Sequence, residues 1–145
     1  MKIKTAYMGE IEINPENIIH FEHGIPGFED EKGFALLPIE KNSVFQILQS
    51  TQTEGLAFII TSPYAVTEKY NFDLDESTVH ALEVKSENEV AVFAIVSLKE
   101  TLGHSTVNLK APIVLNTTNK KAKQVILDNE QYDIRHKISF ESVKG

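Results

Sequence analysis

The longest apolar run of this 145-residue chain reads Val90-Ala91-Val92-Phe93-Ala94-Ile95-Val96. Its apolar residues follow one another without a break, whereas a strand with one face in water alternates apolar and polar residues. Unbroken runs of this kind are typical of strands that are covered on both faces, at the centre of a sandwich or the seam of a barrel. Residues 56–60 (LAFII) have the same character. The two runs therefore predict the centre of a β domain.

Segments with a two-residue period surround this centre. Tyr132, Ile134, Ile138 and Phe140 alternate with polar residues, which predicts a strand with one buried face. Further strands are expected at residues 17–21, 34–37, 44–48, 56–61, 90–98, 112–116 and 124–127.

The N-terminal residues predict a hairpin. A three-residue loop at residues 8–10 would pair Tyr7 with Ile11 and Thr5 with Ile13. A two-residue loop would turn Ile11 and Ile13 to the opposite face, because a slip of one residue reverses every side chain of a strand. The three-residue loop is therefore the predicted connection.

One helix is predicted at Glu76–Leu82. Asp75 is a favourable N-cap, and the charge of Glu76 suits the positive end of the helix dipole. About ten short strands with one short helix predict a mostly β fold. We expect a small antiparallel β-barrel-like single domain spanning residues 1–145.

The composition narrows the classes of function. The chain has no Cys, which excludes disulfides, thiolate catalysis and cysteine zinc sites. Its formal net charge is −7 and Arg135 is its single Arg, which argues against direct nucleic-acid binding. A cationic protein partner fits this charge, although an acidic surface also serves solubility alone. No apolar signal segment or membrane-length run is present, so we expect a cytoplasmic protein.

No catalytic or metal-binding motif emerges from the titratable residues. His20 and His23 are three residues apart in a predicted strand, where their side chains would point to opposite faces, so no metal site is expected. His104 and Ser105 lack the surrounding turn of a nucleophilic serine. We therefore expect no enzymatic activity and no cofactor.

Glycines and prolines predict structural turns. In Gly24-Ile25-Pro26-Gly27, Pro26 and Gly27 suit the second and third positions of a type II turn. Phe28 is expected to plug the core behind this turn. Pro112 is expected at a strand start or edge, where its missing N–H costs no ladder bond. We assign Gly24, Pro26, Gly27, Phe28 and Pro112 to architecture.

Three aromatic residues, Tyr64, Tyr70 and Phe72, lie in a segment that is neither clearly strand nor helix. Aromatic residues in loops bury a large area at a low entropic cost and can anchor a partner. The alternative is that they cap the open end of the barrel.

Several blocks together resemble the flagellar assembly factor FliW family. The matching blocks are HGIPGFE at residues 23–29, FQILQS at 45–50, VAVFAIV at 90–96, NLKAPIVLN at 108–116 and QVIL at 124–127, with Tyr132 and Arg135. The resemblance implies a β-barrel-like fold without enzymatic activity, and two protein partners, flagellin and the RNA-binding translational repressor CsrA. It also implies a partner switch, in which accumulating flagellin captures the factor and the released CsrA stops flagellin translation.

The acidity of the chain gives this resemblance a physical hypothesis. An RNA-binding protein presents a basic surface, which an acidic partner would recognise and shield from RNA. The candidate contacts for CsrA are two acidic sets, namely Glu29, Asp30 and Glu31, and Asp73, Asp75 and Glu76. For flagellin we expect a helix-in-groove mode at Tyr64, Tyr70 and Phe72. The main rival is a small-ligand carrier, which would need a sizeable apolar cavity in the barrel.

Overall fold

The apolar run at residues 90–96 forms the longest of the described strands. A computed structural model describes residues 1–39, 44–67, 69–97, 99, 104–128 and 132–138. The described strands are β1 Lys2–Thr5, β2 Gly9–Glu12, β3 Ile19–Phe21, β4 Gly33–Pro38, β5 Phe45–Ser50, β6 Ala57–Thr61, β7 Val90–Ser97, β8 Thr106–Val107, β9 Ile113–Asn116, β10 Lys121–Gln124 and β11 His136–Lys137. The helix α1 is Glu76–Leu82, and short 3₁₀ turns occupy Pro15–Asn17, Pro63–Ala65 and Glu87–Glu89.

Seven strands close into a barrel in the order β7-β6-β5-β4-β3-β10-β9, and β9 pairs again with β7. The mostly β, barrel-like prediction is confirmed. All of these pairs are antiparallel except β3 and β10, which run parallel. The prediction of a wholly antiparallel barrel missed this pair. A ring with an odd number of strands cannot alternate direction throughout, so one neighbouring pair must run parallel.

The second half of β7 is covered on both faces, as its unbroken apolar run predicts, whereas residues 90–93 are only half-buried. Ala91, Phe93 and Ile95 pack against the barrel interior. Ala94 and Val96 point the other way, into a second apolar cluster outside the barrel. The first half of β7 pairs with β9 and the second half with β6, so β7 forms the seam of the barrel.

Side chains fill the interior of the barrel. Each of the seven barrel strands contributes to one apolar cluster, whose centre includes Phe21, Phe34, Leu48 and Ile60, all at most 2% exposed. The rings of Phe21 and Phe34 meet edge to face with their centroids 5.3 Å apart. A small-ligand carrier needs an open cavity where these rings lie, so the packing favours a binding function on the outer surface.

The N-terminal hairpin packs on the outer face of β4 and β5, where Ile3 contacts a third apolar cluster. Its register is Ile3 with Ile11 and Thr5 with Gly9, so the predicted register was wrong although the buried face was right. The Thr5 hydroxyl accepts a hydrogen bond from the Met8 amide at 2.8 Å and donates one to the Gly9 carbonyl at 2.7 Å. These bonds place the three-residue loop at residues 6–8, two residues before the predicted loop at residues 8–10. Gly9 has a φ of 66°, which a glycine adopts without strain.

The last strands of the barrel differ from the prediction. The strand predicted at residues 124–127 is found at Lys121–Gln124 instead. The Val125 amide still donates a hydrogen bond to the Pro112 carbonyl at 2.9 Å. Because Pro112 has no N–H, it cannot donate a hydrogen bond back to Val125, and the regular strand pairing ends there. Pro112 directly precedes β9, as predicted.

The C-terminal strand begins later than its alternating pattern predicts. Within residues 132–138, the strand is His136–Lys137, and it pairs with β8, a strand that the sequence did not reveal. Tyr132 and Ile138 are buried, but Ile134 is 60% exposed in a turn. Phe140 lies outside the described residues.

Candidate partner-binding groove

An open groove of about 720 Å³ runs across the surface beside the first half of β7. Its walls are Tyr64, residues 71–74, Val79 of α1, Val84 and Glu87, and its floor is residues 90–93. We call it the aromatic groove. It contains Tyr64, Phe72 and Asp73, three of the residues that the sequence nominates for partner binding.

The helix α1 forms one wall because both of its ends are fixed. At its start, the Asp75 carboxylate accepts a hydrogen bond from the Thr78 amide at 2.8 Å, which confirms the predicted N-cap. At its end, the Asn116 side-chain amide donates to the Leu82 carbonyl at 2.8 Å, and the Asn119 amide donates to the same oxygen at 3.0 Å. These amides hold a helix terminus whose carbonyls have no partner within the helix.

The three predicted aromatic residues have different roles. Tyr70 is only 4% exposed, and its hydroxyl donates a hydrogen bond to the Leu109 carbonyl at 2.6 Å. Tyr64 is 54% exposed and meets the Tyr70 ring edge to face, with centroids 5.8 Å apart. Phe72 is half-buried and packs on the other side of Tyr70 at 5.6 Å. Tyr70 is therefore inaccessible to a partner and supports Tyr64 and Phe72 from beneath.

Tyr132 anchors the wall of the aromatic groove, which the sequence did not reveal. Its hydroxyl accepts a hydrogen bond from the Asn71 amide at 2.8 Å and lies 2.9 Å from the Asn71 carbonyl. Its ring packs against Tyr70 with centroids 4.6 Å apart. The contact joins residues 61 positions apart, which local pattern cannot indicate.

The predicted type II turn is confirmed. The Phe28 amide donates to the Ile25 carbonyl at 2.6 Å, and Gly27 has a φ of 89°. Phe28 does not plug the core as expected, because it is 41% exposed and meets Phe58 edge to face at 5.5 Å. Ile25, which is 2% exposed, fills the core instead.

The two acidic sets have unequal freedom to meet a partner. Glu29 accepts a hydrogen bond from the Gly27 amide at 2.6 Å, and the half-buried Glu31 accepts hydrogen bonds from the Ser50 and Thr53 hydroxyls. Asp30 is exposed, whereas Glu31 is half-buried and held by these hydrogen bonds, so Glu31 is less able to meet a partner.

The second acidic set lies along the aromatic groove and the start of α1. Asp73, Asp75 and Glu76 are all exposed. Of these three carboxylates, only that of Asp75 is held by a hydrogen bond within the described residues.

The chain matches known proteins over nearly its whole length. The family model described as "FliW protein" matches residues 2–138. The chain belongs to the FliW family. The flagellar assembly factor FliW of Oceanobacillus iheyensis is 43% identical over 144 residues, which is 99% of this chain and 98% of the relative. That of Bacillus subtilis (strain 168) is 46% identical over 142 residues, covering 98% and 99%.

A solved structure shares the fold of this FliW-family chain. It is a crystal structure of the flagellar assembly factor FliW, with a TM-score of 0.89 and 41% sequence identity. The match covers 94% of this chain and 96% of that chain. The resemblance inferred from the motif blocks is thus confirmed at the level of family and fold.

The described residues of this FliW-family chain contain neither a candidate metal-binding cluster nor a membrane-spanning helix. In those ranges, no three His, Asp or Glu side chains are grouped so that they could hold a metal ion. None of the helices in the described part of the chain has the length and hydropathy needed to span a bilayer.

Tyr70 is expected to ionise only at strongly alkaline pH. Burial raises the pKa of its phenol, and the neighbouring Tyr132 and Tyr64 raise it further. The neutral phenol is thus favoured in the folded state. Its contribution to stability is complete below the ordinary tyrosine pKa of about 10 and is lost as the pH rises toward the higher folded-state pKa.

An absorbance titration followed in parallel by circular dichroism tests this expectation. The Tyr70 phenol should ionise together with alkaline unfolding, and Tyr70→Phe should remove that late step. A late step that persists in the variant would assign it to another phenol.

Proposed function

We propose that this FliW-family protein is a non-enzymatic flagellar assembly factor that binds flagellin and, alternatively, CsrA in the cytoplasm. When free flagellin is scarce, the protein holds CsrA, and flagellin mRNA is translated. When unsecreted flagellin accumulates, it captures the protein, and the released CsrA stops translation. The protein influences RNA without touching it, which agrees with a net charge of −7 and a single Arg.

The observation that carries the proposal is the aromatic groove. An exposed Tyr64 and a half-buried Phe72 flank an apolar floor, on a protein whose barrel interior is already filled. Large aromatic side chains at an apolar depression are the usual anchors of protein interfaces. For flagellin we propose a helix-in-groove mode, in which the helix lies between Tyr64 and Phe72 and contacts β7.

For CsrA, the acidic set at Asp73, Asp75 and Glu76 is the better candidate. In the set at Glu29, Asp30 and Glu31, two of the three carboxylates are engaged within the protein, Glu29 by its own turn and Glu31 by the Ser50 and Thr53 hydroxyls. Because Asp73 also lines the aromatic groove, the proposed surfaces for flagellin and CsrA overlap. Overlap gives a direct physical cause for alternative binding.

A competition experiment with purified partners tests the proposal. The protein should bind CsrA, and added flagellin should displace it. The variant Tyr64→Ala/Phe72→Ala should lose at least tenfold in flagellin affinity, because two interface aromatics contribute about 1–2 kcal/mol each. Tyr7→Ala is the matched control, since Tyr7 is 65% exposed and lies outside the groove.

Titration calorimetry separates the outcomes. Failure of the wild-type protein to bind either partner would contradict the proposed function. Normal flagellin binding by the double variant would keep the function and move the site away from the groove.

A further inference from the structure

The aromatic groove holds two carboxylates that the rest of the described structure does not neutralise. Asp73 and Glu87 both line it. Among the described residues, neither carboxylate forms an ion pair or a hydrogen bond. The described residues that line the aromatic groove include no Lys, Arg or His. This part of the groove therefore carries negative charge that no described lining residue balances.

Three other acidic side chains in the same region, which do not line the groove, are engaged within the protein. Glu83, just after α1, forms an ion pair with Lys121, and the Asp75 carboxylate caps the helix. Glu89 accepts a hydrogen bond from the Lys85 amide at 3.4 Å. Asp73 and Glu87 differ in that their carboxylates are free at the border of an apolar surface.

The apolar part of the groove is broad. A loop contributes Phe72, and β7 contributes Val90 and Val92, all partly buried and packed on one cluster. The helix α1 contributes the half-buried Val79. A patch built from a loop, a helix and a strand fits the wide apolar stripe of an amphipathic helix. An extended strand would instead need a row of alternating pockets.

We propose that the aromatic groove selects an amphipathic helix that carries Lys or Arg beside its apolar stripe, with Asp73 and Glu87 as the residues that determine this specificity. The proposal rests on the proposed function only in taking the groove as a partner-binding surface. When the helix covers the groove and excludes water, the attraction between its cations and the two carboxylates strengthens. A helix with acidic flanks meets uncompensated like charge and is rejected.

Three synthetic helical peptides of about 18 residues, which is five turns, test the charge preference. They share one leucine stripe and differ only in flanking residues, which are Lys, Gln or Glu. Binding is measured by fluorescence anisotropy at low and at high salt. We expect the Lys peptide to bind roughly fivefold more tightly than the Gln peptide at low salt, and the Glu peptide to bind most weakly. High salt should remove the difference.

The variant Asp73→Asn/Glu87→Gln should lose the preference for Lys and keep its affinity for the Gln peptide. Glu16→Gln/Glu54→Gln is the matched control, because it removes the same charge at two exposed carboxylates outside the groove. An equal effect of the control would show that only net charge matters and would overturn the proposal. So would equal binding of the three peptides, or preference for an extended peptide of the same composition.

Flagellin and CsrA titrations with the same variants separate this proposal from the proposed function. Wild-type protein that binds neither partner contradicts the function, whereas the peptide series still decides the charge preference. If both partners bind and Asp73→Asn/Glu87→Gln binds them as wild type does, the function stands and the specificity proposal fails.

Discussion

The substitution Gly24→Ala is expected to lower the free energy of unfolding by roughly 3 kcal/mol. A Cβ atom at Gly24 would lie 2.6 Å from the Glu29 Cα, 2.6 Å from the Glu29 carbonyl oxygen and 2.6 Å from the Phe28 carbonyl oxygen. All three atoms belong to the backbone, so no side chain can rotate to make room. Gly24 also has a φ of 68°, which strains any L residue.

The nearby Gly27 supplies a matched control. It has a φ of 89°, but a Cβ atom there would meet nothing within 4 Å. Gly27→Ala should therefore cost only the backbone strain, about 1–2 kcal/mol. Urea unfolding at an unchanged m-value measures both variants. Equal losses for Gly24→Ala and Gly27→Ala would show that the close approach of residues 28 and 29 has no energetic role.

The features that the sequence predicted correctly are local. The Asp75 cap, the type II turn at Gly27 and the unbroken apolar run of β7 each depend on residues close together in the chain. Their geometry follows from hydrogen bonds and steric limits within a few residues. The apolar run also indicated a strand with two covered faces, which holds for the second half of β7, whereas residues 90–93 form the floor of the aromatic groove.

The features that the sequence missed depend on contacts between distant residues. The strand β10 reads Lys-Ala-Lys-Gln, and only Ala122 belongs to the apolar cluster of the barrel interior, so β10 has almost no hydrophobic pattern. It is a strand because β9 and β3 supply partners on both sides. The closure of the barrel therefore cannot be predicted from the composition of β10.

The solvent exposure of the candidate site residues could not be predicted from local sequence pattern either, because it also depends on contacts between distant residues. Tyr64, Tyr70 and Phe72 look equivalent in sequence, yet Tyr132 buries Tyr70 from a position far along the chain. Likewise, Glu31 belongs to an acidic run, but it is half-buried and its carboxylate accepts a hydrogen bond from the Ser50 hydroxyl. Exposure depends on the whole fold, and so the sequence could nominate these residues without ranking them.

The substitution Asn116→Asp is expected to lower the free energy of unfolding by about 2–3 kcal/mol at neutral pH. Asn116 is 1% exposed, and its amide donates to the Leu82 carbonyl at 2.8 Å while its side-chain oxygen accepts from the Thr118 amide at 2.9 Å. Asp keeps the acceptor, but it removes the donor and places a buried negative charge against the end of α1. Carbonyl dipoles at a helix C-terminus repel that charge.

The sign of the pH dependence distinguishes this mechanism from a simple loss of packing. Burial and the helix end favour the protonated acid, so the introduced carboxyl has a raised folded-state pKa. The deficit should therefore be largest at neutral pH and shrink as acidification protonates the carboxyl. The control Asn119→Asp alters the exposed amide that binds the same Leu82 carbonyl, and it should cost less than Asn116→Asp.

The same variant links the stability of α1 to binding. Val79 of α1 lines the aromatic groove. Loss of the hydrogen bond from the residue 116 side chain to the Leu82 carbonyl should therefore weaken flagellin binding at temperatures where the barrel is still folded. Calorimetric titration below the unfolding transition measures this effect. If Asn116→Asp is destabilised but binds flagellin like the wild type, the position of α1 does not govern binding at the groove. The hydrogen bond from Asn116 to the Leu82 carbonyl would then contribute only to the stability of the fold.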